Sequence, residues 1–390
     1  MADEALWEAV PQTEQWRPNC QVDRPLIYPA PLSLRWEACG DGCRQLDVSG
    51  LLERRALPSL VSYAGSVALS TFTPIRHQDG IYGLKLLIDL LDGEVRDGFR
   101  YKDNGPGETA ACAAAGSRSG TADMIMAVLS DGRRLRSGSV ATEAGRVWSH
   151  EFERDSAVCV PLGLAGGRFA LDCFGAIASI ELATGGRRIE STGKVHGSSG
   201  DVRVTWVEDH ASGGYVLRRL TDEGAATAVV QLDERACLVA PDTDDSVSLF
   251  WGSDAAGTSS CWHAANLLHT NEVSASGVPA RSTSYELEPF IFDERAVRSG
   301  DYSAAHINFL DGNSIQAAGI AVVRSSDGGA WLLRLDPAED IPHGTLALDA
   351  DALYFGIRDR DRHDSSLERI IRIDLAQLES HATALTQRER

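Results

Sequence analysis

The sequence contains few lysines and no long hydrophobic run. Lysine occurs only at Lys85, Lys102 and Lys194, and 37 basic residues face 56 acidic ones, which gives a formal net charge of −19 at pH 7. A chain of that sign repels phosphate backbones and anionic lipid on average, so we expect no nucleic-acid partner. The longest apolar runs, 86–91 and 317–323, are far shorter than the roughly 20 residues of a membrane-spanning helix. We therefore expect no membrane span.

The short motifs of several enzyme classes are also missing. The sequence has no Gly-x-x-x-x-Gly-Lys-Ser/Thr loop, no His-Glu-x-x-His, no Gly-x-Ser-x-Gly and no paired Cys-x-x-Cys. These absences weaken the interpretation of the chain as an ATPase, a zincin-type protease or an ordinary serine esterase. Whether the protein is an enzyme is not decided by its sequence.

Long amphipathic helices are missing from the body of the chain, and short β-rich runs take their place. Residues 1–32 contain five prolines, a density that blocks helix interiors and central strands, so we expect an extended arm there. We divide the remainder into a cysteine-containing segment (33–58), an all-β body (59–380) and a polar tail (381–390). The segment 271–302 has no clear repeat and is interpreted as a long loop.

The last third of the chain shows the strand pattern best. Residues 345–349, 352–357 and 369–374 read as three antiparallel strands, and 314–324 with 330–336 read as a hairpin around a Ser-Asp-Gly-Gly turn. Asp336 and Asp374 end two similar strands 38 residues apart. Comparable strand-then-turn units recur upstream at a loose spacing that is typical of propeller-blade repeats.

These units resemble the blades of the β-propeller superfamily in general. The resemblance covers roughly residues 59–380 and implies an all-β fold, a single propeller with seven blades, six and eight being the alternatives. A strand from 32–38 or 43–48 is expected to complete the last blade. Two β-sandwich domains are the alternative architecture, because their strands show the same short alternating runs.

The eight cysteines include one closely spaced pair. The glycines in Cys39-Gly-Asp-Gly-Cys43 allow a tight reversal, so a Cys39–Cys43 disulfide is expected, with Cys20 as the alternative partner. A structural zinc site is less favoured because it needs four ligands. As written, the N-terminus shows no secretory leader and predicts a cytoplasmic protein. The cysteines instead suit an extracytoplasmic location, reached if a leader has been removed.

Three of the ten histidines are candidates for a metal site. His196, His306 and His343 fall near the starts of expected inner strands, where a propeller gathers side chains from distant blades around its channel. Three imidazoles there could hold a divalent transition metal, although no cofactor is otherwise expected. We therefore predict a non-catalytic binding or scaffold propeller that holds a protein or glycan partner on one rim. The alternative is a hydrolase or lyase with a metal at the channel mouth.

Overall fold

A computed structural model gives the structure of most strands and of the side chains around the last two sheets. Side chains are described over 33–49 and, with gaps, over 58–93 and 236–388. The described backbone comprises residues 7–9, 20–23, 33–49, 57–63, 66–77, 80–93, 95–103, 109–115, 124–130, 135–142, 145–152, 159–165, 168–173, 177–181, 187–191, 194–198, 204–209, 215–220, 226–232, 236–241, 246–261, 263–274, 279–342, 344–360 and 367–388.

Four short strands precede the body of the fold and pair with sheets formed further along the chain. They are β1 (Trp7–Ala9), β2 (Cys20–Asp23), β3 (Trp36–Gly40) and β4 (Cys43–Asp47). β3 and β4 form a hairpin across the turn that contains Gly42.

Sixteen consecutive strands then form four antiparallel sheets, each built from four neighbours in sequence. The first sheet contains β5 (Leu57–Tyr63), β6 (Ser66–His77), β7 (Gly80–Asp89) and β8 (Val95–Asp103). The second contains β9 (Thr109–Ala115), β10 (Met124–Ser130), β11 (Leu135–Thr142) and β12 (Gly145–Phe152). The third contains β13 (Cys159–Ala165), β14 (Arg168–Cys173), β15 (Ile177–Glu181) and β16 (Arg187–Ser191). The fourth contains β17 (Lys194–Ser198), β18 (Val204–Asp209), β19 (Tyr215–Leu220) and β20 (Ala226–Leu232).

A long strand links the next two groups of strands into one nine-stranded sheet. β25 is 21 residues long, and its first part pairs with β24 while its second part pairs with β26. The expectation of a long loop over 271–302 is therefore wrong. The strands of this region are β21 (Leu238–Pro241), β22 (Val247–Ser253), β23 (Ser259–Ser260), β24 (Ala265–Val273), β25 (Pro279–Ser299), β26 (Tyr302–Asp311), β27 (Ser314–Arg324) and β28 (Ala330–Arg334).

The last sheet combines strands from both ends of the chain, because β32 pairs with β4 in antiparallel register. The strands predicted near 345–349, 352–357 and 369–374 are confirmed. A 3₁₀-helix (Leu375–Ser380) follows. The remaining strands are β29 (Glu339–Asp340), β30 (Leu346–Leu348), β31 (Ala352–Asp359), β32 (Arg369–Asp374) and β33 (Thr383–Ala384), the last of which pairs with β28.

Consecutive antiparallel sheets of this kind make the fold an all-β propeller. A series of strands also contact one another: β17 contacts β21, β21 contacts β25, β25 contacts β30, and β30 contacts β5. The first and last sheets meet where the Leu60 amide donates to the Gly344 carbonyl at 3.0 Å. Strands adjacent in sequence pair within each sheet, which disfavours the Greek-key connections of the sandwich alternative. The count of seven blades stays a prediction.

Apolar clusters fill the spaces between the sheets. One cluster joins Ile320 and Trp331 of the nine-stranded sheet to Phe355 and Ile371 of the last sheet. Another joins the last sheet to the first, and there Leu46 of β4 packs with residues such as Leu69. The last sheet contributes apolar residues to both clusters, so both of its faces are buried against neighbouring sheets. In the described part of the chain, no helix is long and apolar enough to cross a bilayer.

The buried Tyr354 hydroxyl is expected to make the fold sensitive to high pH. Burial, together with the nearby Asp349 carboxylate, raises its pKa to about 12. The unfolded state releases this proton first, so the free energy of unfolding should fall as pH rises from 10 to 12. The total loss should be about 2.5 kcal/mol. Urea unfolding of wild type and Tyr354→Phe across this range measures it, and parallel curves for the two proteins would contradict the assignment.

Candidate functional site

The structure describes the side chain of one of the three histidines predicted to bind metal. His306 lies on β26 and is only 3% exposed. His196 lies on β17, but its side chain is outside the described residues, as is the whole of His343. The predicted metal set of His196, His306 and His343 therefore stays a prediction.

An enlarged β-bulge in β25 lies opposite His306. Phe292 pairs with Ile307 and Ala296 with Ala305, so the three residues 293–295 of β25 stand opposite His306 alone. The charged run Asp-Glu-Arg at this point lies between the apolar residues 290–292 and 296–297. Bulges redirect side chains and often occur next to functional sites. Here the bulge contributes the carboxylate of Asp293 and the guanidinium of Arg295.

Asp293 is the centre of a small polar cluster at the bulge. Its Oδ2 accepts a hydrogen bond from Asn308 Nδ2 at 3.2 Å and lies 3.6 Å from His306 Nδ1. His306 and Asn308 are two residues apart on β26 and therefore project from the same face. A carboxylate beside an imidazole orients the ring. Asp293 is the more accessible partner, since its side chain is 29% exposed.

The Asp293 cluster supplies two residues of metal-binding type. Within the described residues, no group of three or more His, Cys, Asp or Glu side chains is arranged to hold a metal ion. A catalytic metal site usually has three protein ligands. Asp293 and His306 would need a further ligand to complete such a site.

Arg295 extends from the same bulge towards two other sheets. Its Nη1 donates to the Gly344 carbonyl at 2.8 Å, and its Nη2 donates to the Leu60 carbonyl at 2.7 Å. Burial lowers the pKa of Arg295 to about 10, so the guanidinium still carries its charge at neutral pH. Both carbonyl contacts are charge-assisted hydrogen bonds. Arg295 therefore ties the first, nine-stranded and last sheets together.

A buried ion pair in the nine-stranded sheet was not predicted from sequence. Arg298 Nη1 donates to Glu272 Oε2 and, at 2.7 Å, to Ser248 Oγ. Ser248 Oγ in turn donates to Glu272 Oε1 at 2.8 Å. Both charged side chains are more than nine-tenths buried. The three side chains supply hydrogen-bond partners to one another, so the cluster is a structural link between β22, β24 and β25.

His269 is held by serines from the two strands beside its own. Ser253 Oγ lies 2.8 Å from its Nε2, and Ser284 Oγ lies 2.8 Å from its Nδ1. A hydroxyl can donate or accept, so a neutral imidazole is satisfied by this pair. Trp251 stacks on the ring with the centroids 5.3 Å apart. Both serines are buried, so this arrangement is built to fix the sheet rather than to present a nucleophile.

Cys39 and Cys43 are joined in a disulfide at the tip of the β3–β4 hairpin. This is the first of the two pairings considered from sequence, and it leaves neither sulfur for Cys20. Gly42 adopts a positive φ of 68°, and a Cβ there would lie 2.7 Å from Gln377 Cβ. The C-terminal 3₁₀-helix therefore packs closely on the tip. A second disulfide, Cys237–Cys261, was not predicted.

The outer edges of several sheets are covered by the terminal segments of the chain. β2 pairs with β8, β1 with β12, and β33 with β28. Among the described strands, none pairs with the outer edge of β16 or of β20. β16 contains two arginines and a glutamate, whereas β20 contains no charged residue. Charged side chains are a common protection of sheet edges, and β20 lacks it.

Structural comparison finds β-propeller domains at low sequence identity. The propeller domain of the Trilobed protease from Pyrococcus furiosus has a TM-score of 0.45 and 10% identity, covering 85% of this chain and 98% of that one. The Nup133 propeller domain of Vanderwaltozyma polyspora has a TM-score of 0.44 and 9% identity, with coverages of 87% and 99%. The fission yeast SCAP WD40 domain has a TM-score of 0.41 and 8% identity, with coverages of 94% and 97%. The sequence matches no family model and no curated protein.

Proposed function

We propose that this protein is a non-catalytic binding scaffold that holds a protein partner along the outer edge of its sheets. One observation carries the proposal: three outer strands, β8, β12 and β28, already receive an added strand from the termini of this chain. Strand addition uses backbone hydrogen bonds for affinity and side-chain pockets for specificity. A fold that seats its own extended segments in this way is suited to seat those of another protein.

β20 is the edge we assign to the partner. Its sequence, Ala-Thr-Ala-Val-Val-Gln-Leu, has β-branched residues and no charge. One extra residue, Val229, interrupts its pairing with β19, so the edge offers two short runs. The acidic residues Asp222, Glu223, Asp233 and Glu234 flank the strand in sequence. We therefore expect the partner to present an extended segment flanked by basic residues, because opposite charges favour the correct register.

Adding positive charge to the β20 edge is expected to abolish partner binding. Thr227→Lys/Gln231→Lys should lower retention of the partner from an extract of the native host at least about tenfold, since lysines on an edge strand oppose strand addition. The matched control is Ser314→Lys/Gln316→Lys, which adds the same charge at exposed positions of β27. Retained proteins are cross-linked and identified by mass spectrometry, and melting temperatures confirm that each variant is folded.

Comparing the two variants tests whether the partner binds along β20, and a glycan array tests whether the partner is a protein. Equal loss with both variants, or equal retention with both, would show that the partner does not bind along β20. Selective retention of glycans on an array would replace the protein partner with the glycan alternative.

The second candidate function is a metal-dependent hydrolase or lyase, and the contact between Asp293 and His306 favours it. Elemental analysis of protein prepared without chelator tests this candidate. A near-stoichiometric transition metal that is lost in His306→Asn, together with turnover of an ester or glycoside substrate, would overturn the scaffold proposal.

A further inference from the structure

The two sulfurs of the β3–β4 hairpin differ in their access to solvent. Cys39 lies on the exposed strand β3, whereas Cys43 is only 8% exposed. Cys43 packs in the apolar cluster that includes Ile373, Leu375 and Leu378. An incoming thiol can therefore approach the Cys39 sulfur from solvent, while the Cys43 sulfur is shielded.

The tip of the hairpin is held by contacts that do not depend on the disulfide. The Asp374 amide donates to the Gly42 carbonyl at 2.8 Å, and His381 Nε2 donates to the Asp41 carbonyl at 2.5 Å. β4 is also paired along its length with β32. Opening the disulfide would therefore leave Cys39 and Cys43 close together and able to re-form the bond.

From this asymmetry we infer that Cys39–Cys43 is an exchange-active disulfide, with Cys39 as the site at which small thiols add. The attacking thiolate forms a bond to Cys39 Sγ, the Cys39–Cys43 bond breaks, and Cys43 leaves as a thiolate. A second thiol can then release a reduced Cys39 and a small-molecule disulfide, so that two thiols are oxidised and one protein disulfide is reduced. In the reverse direction Cys43 attacks Cys39 and expels the small thiol.

The closeness of Cys43 to Cys39 makes the mixed disulfide short-lived. The β3–β4 hairpin and its pairing with β32 hold the Cys43 sulfur beside Cys39, so the Cys43 thiolate re-attacks Cys39 Sγ, expels the small thiol and restores the original bond. The mixed disulfide should accumulate only when Cys43 is absent. An exposed sulfur that an incoming thiol can attack, next to a second sulfur that can resolve the mixed disulfide, is an arrangement that supports such exchange.

Glutathione provides the test, and the protein contains its own control. With reduced glutathione, Cys39–Cys43 should open at least about tenfold faster than Cys237–Cys261, because access governs exchange. Cys237 is 8% exposed and Cys261 is half-buried. Acid quenching, alkylation and peptide mass mapping report the state of both pairs in the intact wild-type protein.

Two single variants identify the sulfur that is attacked. With oxidised glutathione, Cys43→Ser should accumulate a mixed disulfide at Cys39, and Cys39→Ser should form one at Cys43 at least about tenfold more slowly. Near-ultraviolet circular dichroism checks that both variants keep their tertiary packing. Equal opening of the two wild-type disulfides, or faster addition at Cys43 than at Cys39, would overturn the inference. The wild-type measurement decides the question even where a variant fails to fold.

Discussion

Replacing Arg298 with methionine is expected to lower the free energy of unfolding by about 3–5 kcal/mol. The substitution removes the partner of Glu272 and leaves a carboxylate buried between β22, β24 and β25. The remaining hydrogen bond from Ser248 cannot replace a full opposite charge. Urea unfolding followed by tryptophan fluorescence measures the change.

The double variant Glu272→Gln/Arg298→Met is the matched control. It removes both charges while the glutamine side-chain oxygen can still accept from Ser248. Most of the lost stability should return, because the large effect comes from the unpaired charge rather than from the missing attraction. A double variant as unstable as Arg298→Met alone would show that lost packing of the arginine stem, and not charge burial, causes the loss.

Truncating Leu46 to alanine is expected to cost about 2–5 kcal/mol. Leu46 is 2% exposed and lies between the last sheet and the first, although it belongs to a strand near the start of the chain. Ile370 is its neighbour in the register of β4 and β32. The loss should therefore match that of a large-to-small change in the centre of a domain. Denaturant unfolding provides the measurement.

Arg44→Ala serves as the control, since Arg44 is an exposed residue of the same strand. It should change the free energy of unfolding by less than about 0.5 kcal/mol. A double-mutant cycle between Leu46→Ala and Ile370→Ala should show coupling, because the residues share one cluster. Additive losses, or a negligible effect of Leu46→Ala, would contradict the placement of β4 beside β32.

The strands near the C-terminus could be predicted because each is short, regular and bounded by turn residues. β31 and β32 are examples, and their alternating apolar residues face two neighbouring sheets. β25 could not be predicted in the same way. Its two halves pair with different strands, and the polar bulge at 293–295 hides their continuity. The local hydrophobic pattern of a sequence predicts a strand poorly where that strand pairs first with one neighbouring strand and then with another.

The same error in 271–302 hid most of the polar clusters. His306 was selected from sequence, but its partner Asp293 lay in the segment interpreted as a loop. Glu272 and Arg298 lay there too, and their pairing is a tertiary contact with no local signature. The Cys39–Cys43 pair was predictable because its spacing is itself the signal. Cys237 and Cys261 are 24 residues apart, a separation that carries no such information.

The pairing of β4 with β32 has a consequence for folding during synthesis of the protein. Roughly 320 residues separate the two strands, and a ribosome adds about 5–20 residues per second. β4 therefore leaves the ribosome roughly 16 to 64 seconds before its partner exists. During that interval Leu46 has no core to enter, and one edge of β4 has only solvent or a chaperone beside it. The N-terminal part of the nascent chain is thus the part most exposed to aggregation until the final strands have been synthesised.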